Sequence, residues 1–291
     1  MPRLIIAFTI MLFLFPPASA QQKSDREKAD LIGPVRSVRS KTTEYKDATL
    51  KVSLQTKERD LITYDEKGNE LEHIIEEFYG MAGGKDIRKY DSKGILNEVL
   101  VFNSEGLHER QVHAFENGKL LSIVYYDPKD KETISEINSY GEGGLLVETK
   151  YIQKKKAFGK TVYKYDEKGN LVEAGYYEMN GARSFALFGP CRGAHRVTYA
   201  YNEHRKQTKV VFYQLDGSVK DSFQYSYDAK GLMTTQIIQY YDNKQAFDYA
   251  YEFDSQGNWT RRITTIKELG NKDFPDALTQ VTVTSREITY Y

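Results

Sequence analysis

Cysteine is nearly absent: Cys191 stands alone among 291 residues. An internal disulfide is therefore impossible, and stability must come from packing and backbone pairing. Net charge is missing as well. Lys and Arg number 41, as do Asp and Glu, and no basic stripe marks a nucleic-acid surface. The longest basic run, Lys154-Lys155-Lys156, reads as a solvated turn. After the first residues no stretch approaches the roughly 20 apolar residues of a membrane-spanning helix. Tryptophan occurs once, at Trp259, and only 40% of residues are hydrophobic. Much of that fraction is Tyr, with 23 copies. Its apolar ring can cover a half-exposed sheet face while its hydroxyl stays wet.

The start of the chain reads as an address. Arg3 supplies a positive charge, Leu4 to Phe15 is an apolar run, and Pro16-Pro17 ends any helix there. Ala18-Ser19-Ala20 is the small-x-small pattern that signal peptidase accepts. Residues 1–20 are thus expected to be a signal peptide, with a mature chain beginning near Gln21 that is periplasmic or secreted. No Cys follows Ala20 closely, so a lipoprotein anchor is not expected. The polar segment 21–33 is expected to be disordered. Residues 34–291 are expected to form one domain, since no linker divides them.

What the chain does have is an internal repeat. Aromatic-Asp-x-x-Gly occurs at Tyr64-Asp65 with Gly68, Tyr90-Asp91 with Gly94, Tyr165-Asp166 with Gly169, Tyr227-Asp228 with Gly231 and Phe253-Asp254 with Gly257. Phe102-Asn103 with Gly106 is close. Looser copies fall at Phe115, Tyr126, Tyr140, Tyr177, Tyr201, Tyr213 and Tyr241. The mean step is roughly 12 to 13 residues, one strand plus one turn, whereas helical repeats need 30 or more. The turn chemistry fits. Asp opens a type I turn by accepting a bond from the backbone two residues on, and Gly supplies the positive φ that closes a bulged hairpin. Flanking segments alternate with period two: Phe223, Tyr225 and Tyr227 share one face, as do Phe247, Tyr249, Tyr251 and Phe253.

The spacing predicts about 16 to 19 strands, more than the roughly ten that an open twisted sheet tolerates. Such a chain must coil, roll into a barrel-like shell or split into stacked sheets. Gly181 to Gly193 and Leu269 to Asp276 lack alternation and read as longer loops.

Tyr-Asp-x-x-Gly-Asn followed by a strand, recurring from Tyr64 to Trp259, resembles the YD repeats of bacterial Rhs proteins and their relatives. The resemblance implies an all-β, strand-after-strand architecture of shells and cell-surface scaffolds. The chain is too short to enclose a passenger, so the family's toxin-delivery role is not carried over. The family supplies no catalytic residues.

Residues with chemical potential are few. Cys191 and His195 share a Gly-rich segment, but a Cys nucleophile needs a base in reach and an oxyanion site, which this spacing does not show. Cys191, His195 and His204 are a thin set for a metal, which needs three or four matched ligands. His73, His108 and His113 are scattered. The Asp turns differ from calcium loops, because each brings one carboxylate and Lys67, Lys93, Lys168 or Lys230 beside its Gly. Gly80, Gly83, Gly84 and Lys85 lack phosphate-loop spacing, with Asp86 where Ser or Thr is needed. The Tyr stripes and Trp259 remain, either as packing surface or as platforms for a partner.

The reading is all-β: tandem antiparallel β-hairpin repeats in a long meander that coils or curls into a shell or solenoid-like sheet. No catalytic, cofactor-binding or metal residue is expected. The expected role is non-catalytic, as a protein-interaction or scaffold module of the cell envelope or secreted space, with no nucleic-acid partner and no membrane span. The alternative is carbohydrate or cell-wall binding through the Tyr-rich faces.

Overall fold

The computed structural model describes residues 23–46, 48–76, 83–240, 243–269 and 280–291, with backbone alone at 57–59. The signal-peptide reading of residues 1–20 lies outside them, as do Gly80, Tyr241 and most of the loop expected after Leu269. A short helix, α1 (Asp25–Lys28), precedes the strands. These are β1 (Val35–Tyr45), β2 (Ser53–Tyr64), β3 (Glu70–Ile75), β4 (Gly84–Tyr90), β5 (Leu96–Asn103) and β6 (Gly106–Glu116). Then come β7 (Lys119–Tyr126), β8 (Glu132–Tyr140), β9 (Leu146–Gln153), β10 (Lys156–Tyr165), β11 (Leu171–Glu178) and β12 (Arg196–Tyr201). The last are β13 (Gln207–Tyr213), β14 (Val219–Tyr227), β15 (Met233–Tyr240), β16 (Asn243–Phe253), β17 (Trp259–Leu269) and β18 (Gln280–Tyr290).

Each strand pairs antiparallel with the next, and β18 returns to pair with β1. The all-β hairpin meander is present, but the expected shell or solenoid-like sheet is not. The meander is one closed 18-stranded antiparallel barrel.

The turns supply the reason for closure. In the turn after β2, the Gly68 N–H donates to the Asp65 carbonyl and the Asp65 N–H to the Asn69 carbonyl, both at 2.9 Å. The Asp65 carboxylate takes the Asn69 N–H at 2.9 Å, and Gly68 holds φ +87°. In the copies at Asp91, Asp166, Asp228 and Asp254 the carboxylate also takes the N–H two residues on. The register then slips by one residue just before the anchor aromatic at Tyr64, Tyr90, Phe115, Tyr140, Tyr165, Tyr201, Tyr227 and Phe253. Each slip is a bulge, and bulges raise local twist. Further slips fall at the other rim before Phe102, Tyr126 and Tyr213, and the added twist curls the sheet until its edges meet.

Those eight anchors all lie at one end of the barrel, the motif end. The repeat unit is therefore the two-stranded hairpin. The other end, the loop end, carries the turns at Phe102, Tyr126 and Tyr213 and the long segment between β11 and β12. Along β10, Gly159, Thr161 and Tyr163 are buried while Lys160, Val162 and Lys164 are not. The buried face continues by register through Tyr176, Val197, Phe212, Val210, Phe223 and Ile238. In a closed sheet this is the inward face. The outward face carries ion pairs, among them Lys160–Glu148 (2.8 Å), Lys164–Glu173 (2.8 Å), Arg196–Glu173 (2.9 Å) and Lys267–Asp248 (2.8 Å).

The segment before β1 corrects the expectation of disorder over 21–33, at least for its described residues 23–33. Ser24 and Glu27 form a capping box on α1. The Arg26 N–H donates to the Gly68 carbonyl at 2.9 Å. The Asp25 carboxylate takes the Glu70 N–H and the Tyr90 hydroxyl at 3.2 and 2.9 Å. Leu31 is buried beside Val35, Val38 and Tyr64. Asn258 clasps Ile32, accepting its N–H at 2.7 Å and donating to its carbonyl at 2.8 Å. This segment is a strap at the motif end. It reads as polar in sequence because most of its contacts are hydrogen bonds.

Candidate functional site

The Tyr stripes face inward, and their hydroxyls are used by the barrel itself. The hydroxyls of Tyr140, Tyr165, Tyr201, Tyr227 and Tyr251 donate to the carbonyls of Leu120, Leu146, Leu171, Gln207 and Met233 at 2.7–2.9 Å. Each bond ties a hairpin to the strand that opens after the preceding motif-end turn. Tyr151 and Tyr163 are buried and meet Thr161 and Thr149 at 3.0 and 3.2 Å. The packing role therefore holds for these residues, and no flat exposed Tyr strip is built from them.

The segment between β11 and β12 is a loop, as its sequence indicates, but an ordered one. Cys191 is fully buried, donates its Sγ–H to the Ala174 carbonyl at 3.2 Å, and has its thiol pushed up to about 12 by burial. A thiol so raised stays protonated at neutral pH and is a poor nucleophile. His195 is buried, turns Nδ1 to the Tyr176 carbonyl at 3.0 Å, and sits edge-on to Tyr177. Each side chain is thus engaged with backbone. His204 is exposed in the β12–β13 turn at the opposite end, so the Cys191, His195, His204 set is not assembled. No group of three His, Cys, Asp or Glu that would hold a metal occurs among the described residues. The Asp carboxylates of the motif turns are engaged by their own backbone. Gly84 and Lys85 open β4.

Two places stand out. The first is the tip of the β11–β12 loop. Ala186 N–H donates to Ala194 O at 2.9 Å and Gly193 N–H to Ala186 O at 2.8 Å, so the loop is pinned at its base. Phe188 packs on Tyr151 and Phe158, with ring centroids 6.1 and 6.3 Å apart. Gly189 has φ +69°, and a Cβ there would collide with the Tyr151 hydroxyl. Despite this anchoring, Leu187 is 65% exposed and Phe185 44%. The neighbouring turn adds Leu215 and Val219, also exposed, and is tied to the loop by His195 N–H to Tyr213 O at 3.0 Å. Exposed cations at this end of the barrel are Arg183, Arg192 and Lys154 to Lys156, and exposed acids on the same loops are Glu178 and Asp216. Lys154 and Lys155 form the tight turn that the sequence indicates, at φ +50° and +64°.

The second place is inward. Arg262 is registered against Thr284, and Arg286 against Ser40; Thr284 and Ser40 are buried. Trp259 joins them: the Arg286 guanidinium lies 3.4 Å from its ring centroid and that of Arg262 5.2 Å. Arg262 is also 5.3 Å from the Tyr249 ring. Arg286 Nε and Nη1 and Arg262 Nε are buried without a hydrogen-bond partner. Burial, and then the charge of Arg262, bring Arg286 down to about 10. The sequence reading passed over both arginines. Their signal was the period-two pattern Arg262-x-Thr264-x-Ile266 and Thr284-x-Arg286-x-Ile288, which puts a cation on a core face.

No family model matches the sequence, and no curated protein matches it. Among solved structures the chain is similar to a porin-like protein from Bacteroides uniformis ATCC 8492, at 10% identity over 89% of this chain and 98% of that one, with a TM-score of 0.45. It is similar to a porin-like protein from Bacteroides vulgatus ATCC 8482, at 11% identity over 86% and 97%, with a TM-score of 0.24. It is also similar to TcdB2-TccC3, at 11% identity over 83% of this chain and 18% of that one, with a TM-score of 0.24.

Proposed function

We propose that this chain is a non-catalytic, exported barrel of YD-type repeats that works as a protein-interaction module through its loop end. The observation that carries the reading is Leu187, 65% exposed at the tip of a loop whose base is hydrogen-bonded and whose flank is packed on Tyr151. An apolar side chain on a backbone that is already pinned leaves less of the loop to be ordered when a partner covers it. Apolar anchors ringed by polar residues are also how protein interfaces are built. The rim of Arg183, Arg192 and Lys154 to Lys156 selects a partner whose apolar pocket has an acidic border. The scaffold variant that pairs a free strand edge loses its basis, because every described strand has two partners.

The test uses the full chain as bait on envelope and medium extracts of its source, beside Leu187→Asp. A protein retained by the wild type and lost with Leu187→Asp supports the reading. Equal capture by both baits, or capture of polysaccharide alone, overturns it.

A further inference from the structure

We infer that Arg262 and Arg286 form an inward-facing oxyanion site that takes the carboxylate or phosphate group of a small acidic ligand. The two guanidiniums share one aromatic plate, Trp259, at 5.2 and 3.4 Å. Like charges held together need a counter-charge, and the barrel shows how it supplies one elsewhere. Half-buried Arg88 meets buried Glu70 at 2.9 Å, and on the outer face Arg196 meets Glu173 at 2.9 Å. Among the described residues no carboxylate forms such a pair with Arg262 or Arg286. Asp60, registered against Ser40 one strand beyond β1, acts on Arg286 through its charge, but its bond is to His73 at 3.3 Å.

The surroundings suit an anion. Thr264, Thr284, Thr42 and Ser40 place hydroxyls on the same buried face, with Thr42 and Thr284 3.0 Å apart. A guanidinium presents planar N–H pairs that match carboxylate and phosphate oxygens, and buried N–H groups without partners gain most from an acceptor. Stacking on Trp259 accounts for the orientation of Arg286. It leaves Nε and Nη1 of Arg286 without acceptors, and it gives no reason for a second cation.

Trp259 is the only tryptophan, so its emission reports on the site directly. The full chain is titrated with sodium phosphate and, separately, sodium citrate, with ionic strength held constant by sodium chloride. A saturable change in emission is expected, and Arg262→Gln should weaken it by roughly tenfold or more. In that variant Arg286 still stacks on Trp259, so circular dichroism and melting without ligand verify the fold. If Arg262→Gln does not fold, Arg262→Lys keeps the charge but not the planar fork and should still weaken binding. The outer-face variant Lys160→Gln should bind as the wild type does. A response to phosphate alone identifies a phosphorylated ligand, and a response to citrate alone a carboxylated one; either supports the site. The inference is overturned if chloride produces the same change, if no saturable response occurs, or if the folded arginine variants respond as the wild type does.

Discussion

At the scale of single residues, the tyrosine hydroxyls have the most repeated role. Tyr165 donates to the Leu146 carbonyl at 2.8 Å, one of a series of bonds that join successive hairpins. Tyr165→Phe keeps the ring and leaves that carbonyl short of a partner. The expected loss is about 1 kcal/mol, or a melting temperature lower by about 2–4 °C for a chain of this size. Tyr126→Phe, beneath Arg110 on the outer face, should change it much less; equal effects would remove the hydroxyl from the account. His113 gives a pH signature. Burial, and then the charge of Arg88, bring it from 6.5 down to about 4. Above pH 6.5 it is neutral in both folded and unfolded chains and contributes no slope. Between 6.5 and about 4 the unfolded chain takes a proton that the folded one refuses, so stability falls as pH falls. His113→Gln removes that term. Urea unfolding at pH 7 and pH 4.5 should show the wild type losing more stability than the variant, and a larger loss in the variant would contradict the assignment.

At the scale of elements, the turns are legible in sequence and their arrangement is not. Asp, two free positions and Gly specify a type I turn with a bulge through local chemistry alone, and the structure has that turn at Asp65, Asp91, Asp166, Asp228 and Asp254. Which end of the barrel a turn occupies depends on strand parity. Parity is hidden when copies such as Phe102 and Tyr126 fall at half the true repeat. The arginine pair is obscured in another way: alternation marks a core face, and a cation on that face looks like noise until register places Arg262 beside Thr284. The strap is hidden because its anchor lies more than two hundred residues away. Asn258, buried within the β16–β17 turn, holds both the N–H and the carbonyl of Ile32 and also donates to the Tyr290 hydroxyl at 2.9 Å. Asn258→Ala should cost about 2–4 kcal/mol, since buried backbone groups lose their partners. Limited trypsin treatment gives the finer readout. Cleavage at Arg26 or Lys28 should precede cutting of the barrel in the variant and not in the wild type. Simultaneous cutting in both would mean the strap is held without Asn258.

At the scale of the whole molecule, the two faces of the barrel decide its environment and closure decides its solubility. A barrel that crosses a membrane presents an apolar band about 25 Å tall to lipid. Here the outward positions of β9 to β12 hold the linked ion pairs of Glu148 and Glu173 with Lys160, Lys164 and Arg196, and Tyr151, Tyr163, Tyr176, Val197 and Tyr199 of the same strands point inward. The chain should therefore partition into the aqueous phase in a detergent phase-separation assay, and recovery in the detergent phase would reverse the assignment of faces. Closure rests on one pairing that is remote in sequence, Val38 to Tyr45 of β1 against Ile288 to Val281 of β18. Every other pairing joins consecutive strands. Loss of β18 leaves those hairpins intact but exposes the edges of β1 and β17, and free edges recruit other chains. A chain ending at residue 279 should keep most of its strand signal by circular dichroism. On size-exclusion chromatography it should elute as oligomers that grow with concentration, while the full chain elutes as one species. A truncated chain that stays monomeric and melts in a single transition would show that the bulged hairpins hold the curved sheet without the β1–β18 seam.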